Sequence, residues 1–351
     1  MEKTQIKTKH VYRYIIFLLL ILVCLILLSA SLGSAKVPIK KTAIIIASYI
    51  PAVNYFIDKS NINSLDEKII TKIRLPRIFL SIAVGVALAC AGVIYQGIFR
   101  NPLADPFIIG VSAGASIGAT IGLLFITQIK FISLSAASIF AFIGAIGVTF
   151  TVYNISRIKN KISVVTLFLA GVALSALINS INSFILIFKT HDMAKVIFWL
   201  MGGLTSATWQ QFFIVFPIVT IIFIFCSFFM RDLNIISLSD ERASQLGVET
   251  EKVKLLLLIL ASLIAASAVS VSGIIGFVGL ITPHIMRIIV GPDHKVLFPT
   301  SALAGGIVLL FSDTLARLVL EPREIPVGII TSIIGVPFFI YLLVKSKRQV
   351  F

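Results

Sequence analysis

Few side chains in this chain have the type and spacing to do chemistry. No Gly-Lys pair occurs, so there is no Walker A loop to cradle nucleotide phosphates, and HExxH and GxSxG are absent too. His10, His191, His284 and His294 are scattered. Cys24, Cys90 and Cys226 lie inside apolar stretches with no CxxC pair, which points to neither a disulfide framework nor a metal site. No catalytic residue, metal ligand or cofactor is assigned to the chain. Asp313 and Arg317 stand four apart, close enough on one helix face to pair. Either they form a charge pair at the membrane surface, or Arg317 faces an external acidic partner. Pro283, His284 and Arg287 follow glycines at 273, 276 and 279, and close helix packing with a polar end explains them without a metal or a proton relay. A proton-coupled carrier would place a carboxylate near the membrane midplane, and none is well placed. Arg74 and Arg77 flank Leu75-Pro76. Single arginines at such an interface snorkel to headgroups. With Arg317 and Arg323 on the same side, however, they make a basic rim whose planar forks suit carboxylates.

The elements that carry these residues are apolar. Of 351 residues 58% are hydrophobic and 13% charged, with a mean hydropathy of +1.06. Soluble domains carry about 25% charge, so this is an all-α, polytopic membrane protein with lipid as its solvent. The net charge of +15 would suggest nucleic acid in a soluble protein. Here the basic residues cluster at span ends, as topology rules require, and nucleic acid is not expected as a partner.

Spans of about 20 residues are expected over 14–28, 77–98, 107–127, 131–153, 164–188, 209–230, 253–272, 274–290, 297–316 and 326–344, ten in all. The basic tail before residue 14 and Ser34-Ala35 also fit a cleaved signal peptide; retention as a first span is the expectation. Residues 42–57, with Pro51 inside, are short for a span and suit an external interfacial helix. With the N-terminus inside, inner loops after residue 99 hold thirteen basic residues and outer ones five, which the positive-inside rule favours. Both termini are then cytoplasmic. Glycines 110, 114, 118 and 122 share one helix face, where another helix can approach closely. The longest inner connection, 230–254, carries a short amphipathic helix with Ser239 as N-cap, Asp240 and Glu241 in its first turn and Gly247 as its stop. It reads either as a solvated connector or as a docking element.

RLPR at 74–77, NPLADP at 101–106, GVSAGASIGA at 110–119, GFVGLITPHIMR at 276–287, DH at 293–294 and PREIPVGIITSIIGVPFF at 322–339 resemble the FecCD family. These are membrane permeases of bacterial ABC importers for iron-siderophores, haem and cobalamin. The resemblance spans about 74–345; residues 1–73 share only the layout. It implies one permease domain over 1–351, with an N-terminal tail, first span and external segment over 1–73, a core over 74–345 and a cytoplasmic coupling region over 231–254. It also implies a second permease protomer, alike or related, an external substrate-binding protein, and cytoplasmic ATP-binding subunits that hold the ATP and magnesium. The setting is the bacterial cytoplasmic membrane. On this resemblance Asp240, Glu241, Arg242, Ala243 and Gly247 belong to the helix that docks on the ATPase. Arg74, Arg77, Arg317 and Arg323 pair with acids of the binding protein. Asn101 and Leu103, with Val164 and Val165, border the cytoplasmic gate. An iron-siderophore is the expected cargo, with haem or cobalamin as alternatives. The rival class is a self-sufficient secondary carrier, which would run on an ion gradient without an ATPase.

Overall fold

The structure, a computed structural model, describes residues 8–49, 63–126, 133–158 and 161–347. The part of the expected interfacial segment beyond residue 49 lies outside the described residues. Its first half is a ten-residue helix, α2 (Ile39–Ser48), which follows α1 (Thr8–Ser31). α2 buries Ile45 against Val37, Ile70 and Leu75. Arg74 hydrogen-bonds the last carbonyls of α1, so α1 ends and the next long helix begins at the same end of the bundle.

That next helix starts earlier than hydropathy suggests. α3 (Ser64–Lys68) runs through a π-helical turn, Ile69–Arg74, into α4 (Leu75–Phe99). α4 alone is about 37 Å long, and nearly all of it is buried. It is the axis of the molecule because it is hydrophobic all round and carries small residues where neighbours cross. A Cβ on Gly85 would land on the Gly305 carbonyl, for example.

After a loop and a 3₁₀ turn, Pro106–Ile109, come α5 (Val111–Phe125) and α6 (Ser133–Ser156), so the span expected from 107 begins four residues late. A two-residue hairpin, Arg157–Ile158 with Lys161–Ile162, leads into α7 (Val164–Phe188). A short helix not expected from the sequence, α8 (Met193–Leu200), precedes α9 (Trp209–Phe228). Thr208 starts α9 with a reciprocal capping box to Gln211. α10 (Met230–Ile236) and α11 (Asp240–Gln245) form the polar connection to α12 (Thr250–Ser272).

The largest departure lies next. No helix starts at 274: the chain is irregular from Gly273 to Phe277, with φ of +67° and +70° at those two residues, and α13 (Val278–Val290) is only about 20 Å long. This irregular backbone is shielded by protein. Gly203 N–H donates to the Ser272 carbonyl at 2.7 Å, and Ile275 is fully buried. Such a break within an apolar bundle is tolerated where it is buried in protein. α14 (His294–Leu318) and α15 (Val327–Lys347) complete the chain.

Among the described residues seven helices are long and apolar enough to cross a membrane, and α5, α13 and α15 supply three shorter apolar stretches. The protein is a multi-pass, all-α membrane protein. α15 packs against the irregular segment, with Gly328 beside the Met201 carbonyl and Gly335 beside Phe277.

Candidate functional site

The polar residues gather at the two ends of α4. At its start lies the arginine cluster. The last carbonyls of a helix have no intrahelical partner and carry the negative end of the dipole, and the C-terminus of α1 is treated accordingly. Arg74 Nη1 donates to the carbonyls of Ala30 at 2.7 Å and Ser31 at 3.0 Å, and Nη2 to that of Ala35. Arg317 Nη2 donates to Ser29 Oγ at 2.6 Å and to its carbonyl at 3.2 Å.

Asp313, wholly buried, accepts from Arg77 Nε at 3.0 Å to both oxygens and from Nη2 at 2.9 Å. Arg317 Nε lies 3.4 Å from its Oδ2. Arg77 Nη1 donates to Glu324 Oε2 at 2.8 Å. A buried guanidinium without such partners would be very costly.

The four arginines expected at the outer rim differ in exposure. Arg74, Arg77 and Arg317 are buried and engaged inside the chain, and Arg323 alone of the four is exposed. Arg317 pairs with Asp313, as the four-residue spacing allowed, but the pair is buried rather than at a surface. The sequence offered no signal for Ser29, and Glu324 was visible only as part of PREIP.

At the other end α4 stops at Arg100, whose left-handed φ of 51° turns the chain into the NPLADP loop. Asn101 Oδ1 accepts from Leu103 N–H at 2.9 Å and Asp105 caps the 3₁₀ turn by accepting from Phe107 N–H at 2.8 Å, so the loop is held by its own side chains. Asn101 and Leu103 are half-buried. Val164 and Val165 open α7; Val164 is half-buried and Val165 is 68% exposed. Among the described residues no hydrogen bond joins this pair to Asn101 or Leu103. The loop instead meets α7 where the Ile108 carbonyl lies against Gly171.

The link that sequence reasoning missed is Arg100. Its Nε donates to the Ile236 carbonyl at 2.9 Å, and its Nη2 pairs with Asp240 at the start of α11. Lys254 Nζ of α12 reaches the other Asp240 oxygen at 2.7 Å. One carboxylate therefore ties the end of α4, the start of α11 and the start of α12. Burial works against ionisation of Asp240, but the hydrogen bond from Lys254 and the charges of Lys254 and Arg100 outweigh it and hold the carboxyl below its usual range. Ser239 caps α11 by accepting from Arg242 N–H at 3.1 Å, and Gly247 ends it with φ of +81°.

Within α11 Ala243 is buried, while Glu241, Arg242 and Gly247 face outward. A second tie is made by Asn234 of α10, which donates from Nδ2 to Asp293 at 2.7 Å and accepts from His294 N–H at 2.8 Å. The polar connection is thereby fastened to α14 as well.

The glycines at 110, 114, 118 and 122 run along α6. A Cβ on Gly114 would overlap the Gly144 carbonyl, one on Gly118 the Phe140 carbonyl, and one on Gly122 would sit 2.8 Å from Ala137 Cα. Gly110, with φ of +89°, faces Val148. α5 and α6 thus pack backbone to backbone.

A bundle of apolar helices with a shielded break in its interior, no nucleotide loop, and a short polar helix fastened to one end is built as a transport permease. The chain belongs to the FecCD transport family, which matches it over residues 19–345. It is 43% identical over 275 residues to the cobalamin import system permease protein BtuC of Halobacterium salinarum, covering 78% of this chain and 73% of that one. It is 35% identical over 353 residues to the iron(3+)-hydroxamate import system permease protein FhuG of Bacillus subtilis, covering 98% and 100%. Among solved structures, a metal-chelate type ABC transporter in an inward-facing conformation superposes with a TM-score of 0.81 at 30% identity, over 95% of this chain and 99% of that one.

Proposed function

We propose that this chain is the permease subunit of an ATP-driven importer and forms, with a second permease protomer, the path for an iron-siderophore or similar iron chelate. An external substrate-binding protein delivers the cargo at the arginine end. ATP and magnesium are held by separate ATP-binding subunits that dock on α11 at the opposite, cytoplasmic end. The observation that carries this reading is the Arg100–Asp240–Lys254 tie. It fixes a small, outward-facing polar helix to the ends of α4 and α12, so that force applied to α11 reaches the helix at the centre of the bundle.

Glu241, Arg242 and Gly247 would meet the ATPase, and Ala243 would seat the helix on its own chain. Asn101, Leu103, Val164 and Val165 would border the gate on the same side. The close α5–α6 packing would carry movement away from the gate loop as a rigid pair. Only a differential affinity of the ATP-bound partners for the two gate states can drive the exchange. A bacterial cytoplasmic membrane with both termini inside accords with the thirteen-to-five distribution of basic residues in the loops after residue 99.

Cargo is proposed as an iron chelate, with haem or cobalamin as alternatives, since relatives of similar likeness are named for hydroxamate and for cobalamin import. The test is reconstitution in vesicles with the ATP-binding subunits and binding protein, offering radiolabelled ferric hydroxamate, haem and cobalamin in parallel. Uptake of the hydroxamate that requires ATP is expected. Uptake driven by an ion gradient without the ATPase would overturn the proposal, preference for cobalamin would overturn its iron part, and preference for haem its siderophore part.

A further inference from the structure

Arg77 is held from two sides that differ in exposure. Asp313 grips its Nε and Nη2 from the interior. Glu324 holds Nη1 from the loop between α14 and α15, and its side chain is 35% exposed. The Glu324 side is therefore the outward edge of the guanidinium. The guanidinium groups of Arg77 and Arg317 share the single buried carboxylate of Asp313, and Glu324 supplies the second negative charge beside them. Take Glu324 away and the pocket keeps one uncompensated positive charge, open at the surface where Arg323 stands exposed.

The loop does not depend on the Glu324 carboxylate for its shape. Arg323 N–H donates to the Leu320 carbonyl at 2.8 Å and Ile325 N–H to that of Ala316 at 3.1 Å. Glu324 can thus leave Arg77 while the turn persists and Asp313 keeps the guanidinium in place.

We propose that Glu324 is an internal stand-in for an acidic side chain of the external binding protein, and that docking replaces one carboxylate by the other on Arg77 Nη1. The inference rests on the docking reading given above. The partner it fits is a protein surface with a projecting aspartate or glutamate. Arg323 attracts that carboxylate over the last few ångströms, Arg77 receives it, and Glu324 swings into water. One charge-assisted hydrogen bond is broken and one formed, so the resting pair lowers docking affinity without abolishing it. An empty, positively charged pocket is avoided when no partner is present.

The experiment measures binding of the importer's purified substrate-binding protein to the full-length permease, assembled with its ATP-binding subunits in lipid nanodiscs, across a salt series. Glu324→Gln removes the competing charge and is expected to tighten docking about tenfold, equivalent to about 1.4 kcal/mol. The gain should shrink as salt is raised. Glu324→Asp, which keeps the charge but withdraws it by one methylene, should tighten docking by a smaller factor and serves if the glutamine variant unfolds early in a thermal melt. Equal or weaker docking by a folded variant overturns the exchange. Arg323→Glu tests the docking reading separately: it should slow association. If that variant and added salt both leave binding unchanged, the partner does not dock at this end and the underlying reading fails.

Discussion

At the scale of single residues, the clearest result is that guanidinium groups placed by sequence on an open rim serve the protein's own interior. Arg74 and Arg317 complete the C-terminus of α1, and Arg77 shares Asp313 with Arg317. Charge reversal of Arg74 and Arg77 to glutamate, which on sequence grounds would test docking alone, is therefore predicted to destabilise the protein first. Removing one partner of a buried pair costs about 3–5 kcal/mol. Asp313→Asn should lower the detergent-solubilised melting temperature strongly, whereas Arg323→Ala on the exposed loop should leave it nearly unchanged. Equal melting temperatures for these two variants would contradict the network. At the opposite end Asp240 makes a pH prediction. Its folded-state carboxyl lies below the usual range, so its stabilising contribution is fully present above the unfolded value of about 3.9. That contribution is lost only as pH falls through the lower folded value. The tie between α4, α11 and α12 should therefore hold throughout the physiological range. Hydrogen exchange of the Ala243 amide, corrected for intrinsic rates, should be flat from neutral pH down to about 5. Asp240→Asn should raise the exchange at neutral pH.

Elements were more legible than contacts. Hydropathy located ten apolar helices among the described residues, seven of them long enough to cross a membrane, because a span needs a long apolar run, and Val164–Phe188 was delimited to the residue. Three features were not legible, each for a physical reason. The start of α4 merges with a polar helix through a π turn, and hydropathy cannot see a helix that continues past its apolar run. The irregular backbone from Gly273 to Phe277 is as apolar as a helix because it is buried in protein, so only its glycines hint at the break. Ion pairs such as Arg77 with Asp313 join residues 236 positions apart, which no local pattern encodes. The four-residue glycine spacing, by contrast, is a local pattern, and its consequence is an α5–α6 contact with no room for side chains. Gly114→Leu is predicted to force these helices apart, since its Cβ alone would overlap the Gly144 carbonyl. Gly147→Leu on α6 faces open space and should be tolerated. The pair is read by thermal unfolding and by ATP-dependent uptake; similar losses for both would show that the ladder is not the cause.

For the molecule as a whole, the proposal gives the two ends of α4 opposite tasks, and it stands or falls on which end faces the cytoplasm. α1 ends where α4 begins, so the start of the α1 helix lies on the α11 side whatever the orientation. The positive-inside rule would put that side in the cytoplasm, since the expected inner loops beyond residue 99 hold thirteen basic residues against five. Single cysteines provide a direct test, with Cys24, the exposed native thiol, replaced by serine and the buried Cys90 and Cys226 left in place. Arg323→Cys on the exposed α14–α15 loop should react with a membrane-impermeant maleimide in intact spheroplasts. Ser244→Cys on the outer face of α11 should react only after permeabilisation. The reverse pattern would invert the topology and remove the ATPase from α11. With the orientation established, the same cysteine reports coupling. Assembly with the ATP-binding subunits should slow labelling of Ser244→Cys, because α11 projects Glu241, Arg242 and Ser244 away from its own chain and buries Ala243 against it. Arg100→Ala should leave that protection largely intact, since an exposed ion pair is worth at most about 1 kcal/mol. It should nonetheless reduce cargo moved per ATP hydrolysed, because the docked helix would no longer pull on the end of α4. Unchanged stoichiometry in Arg100→Ala would show that force reaches the bundle through the Asn234 tie to α14 instead.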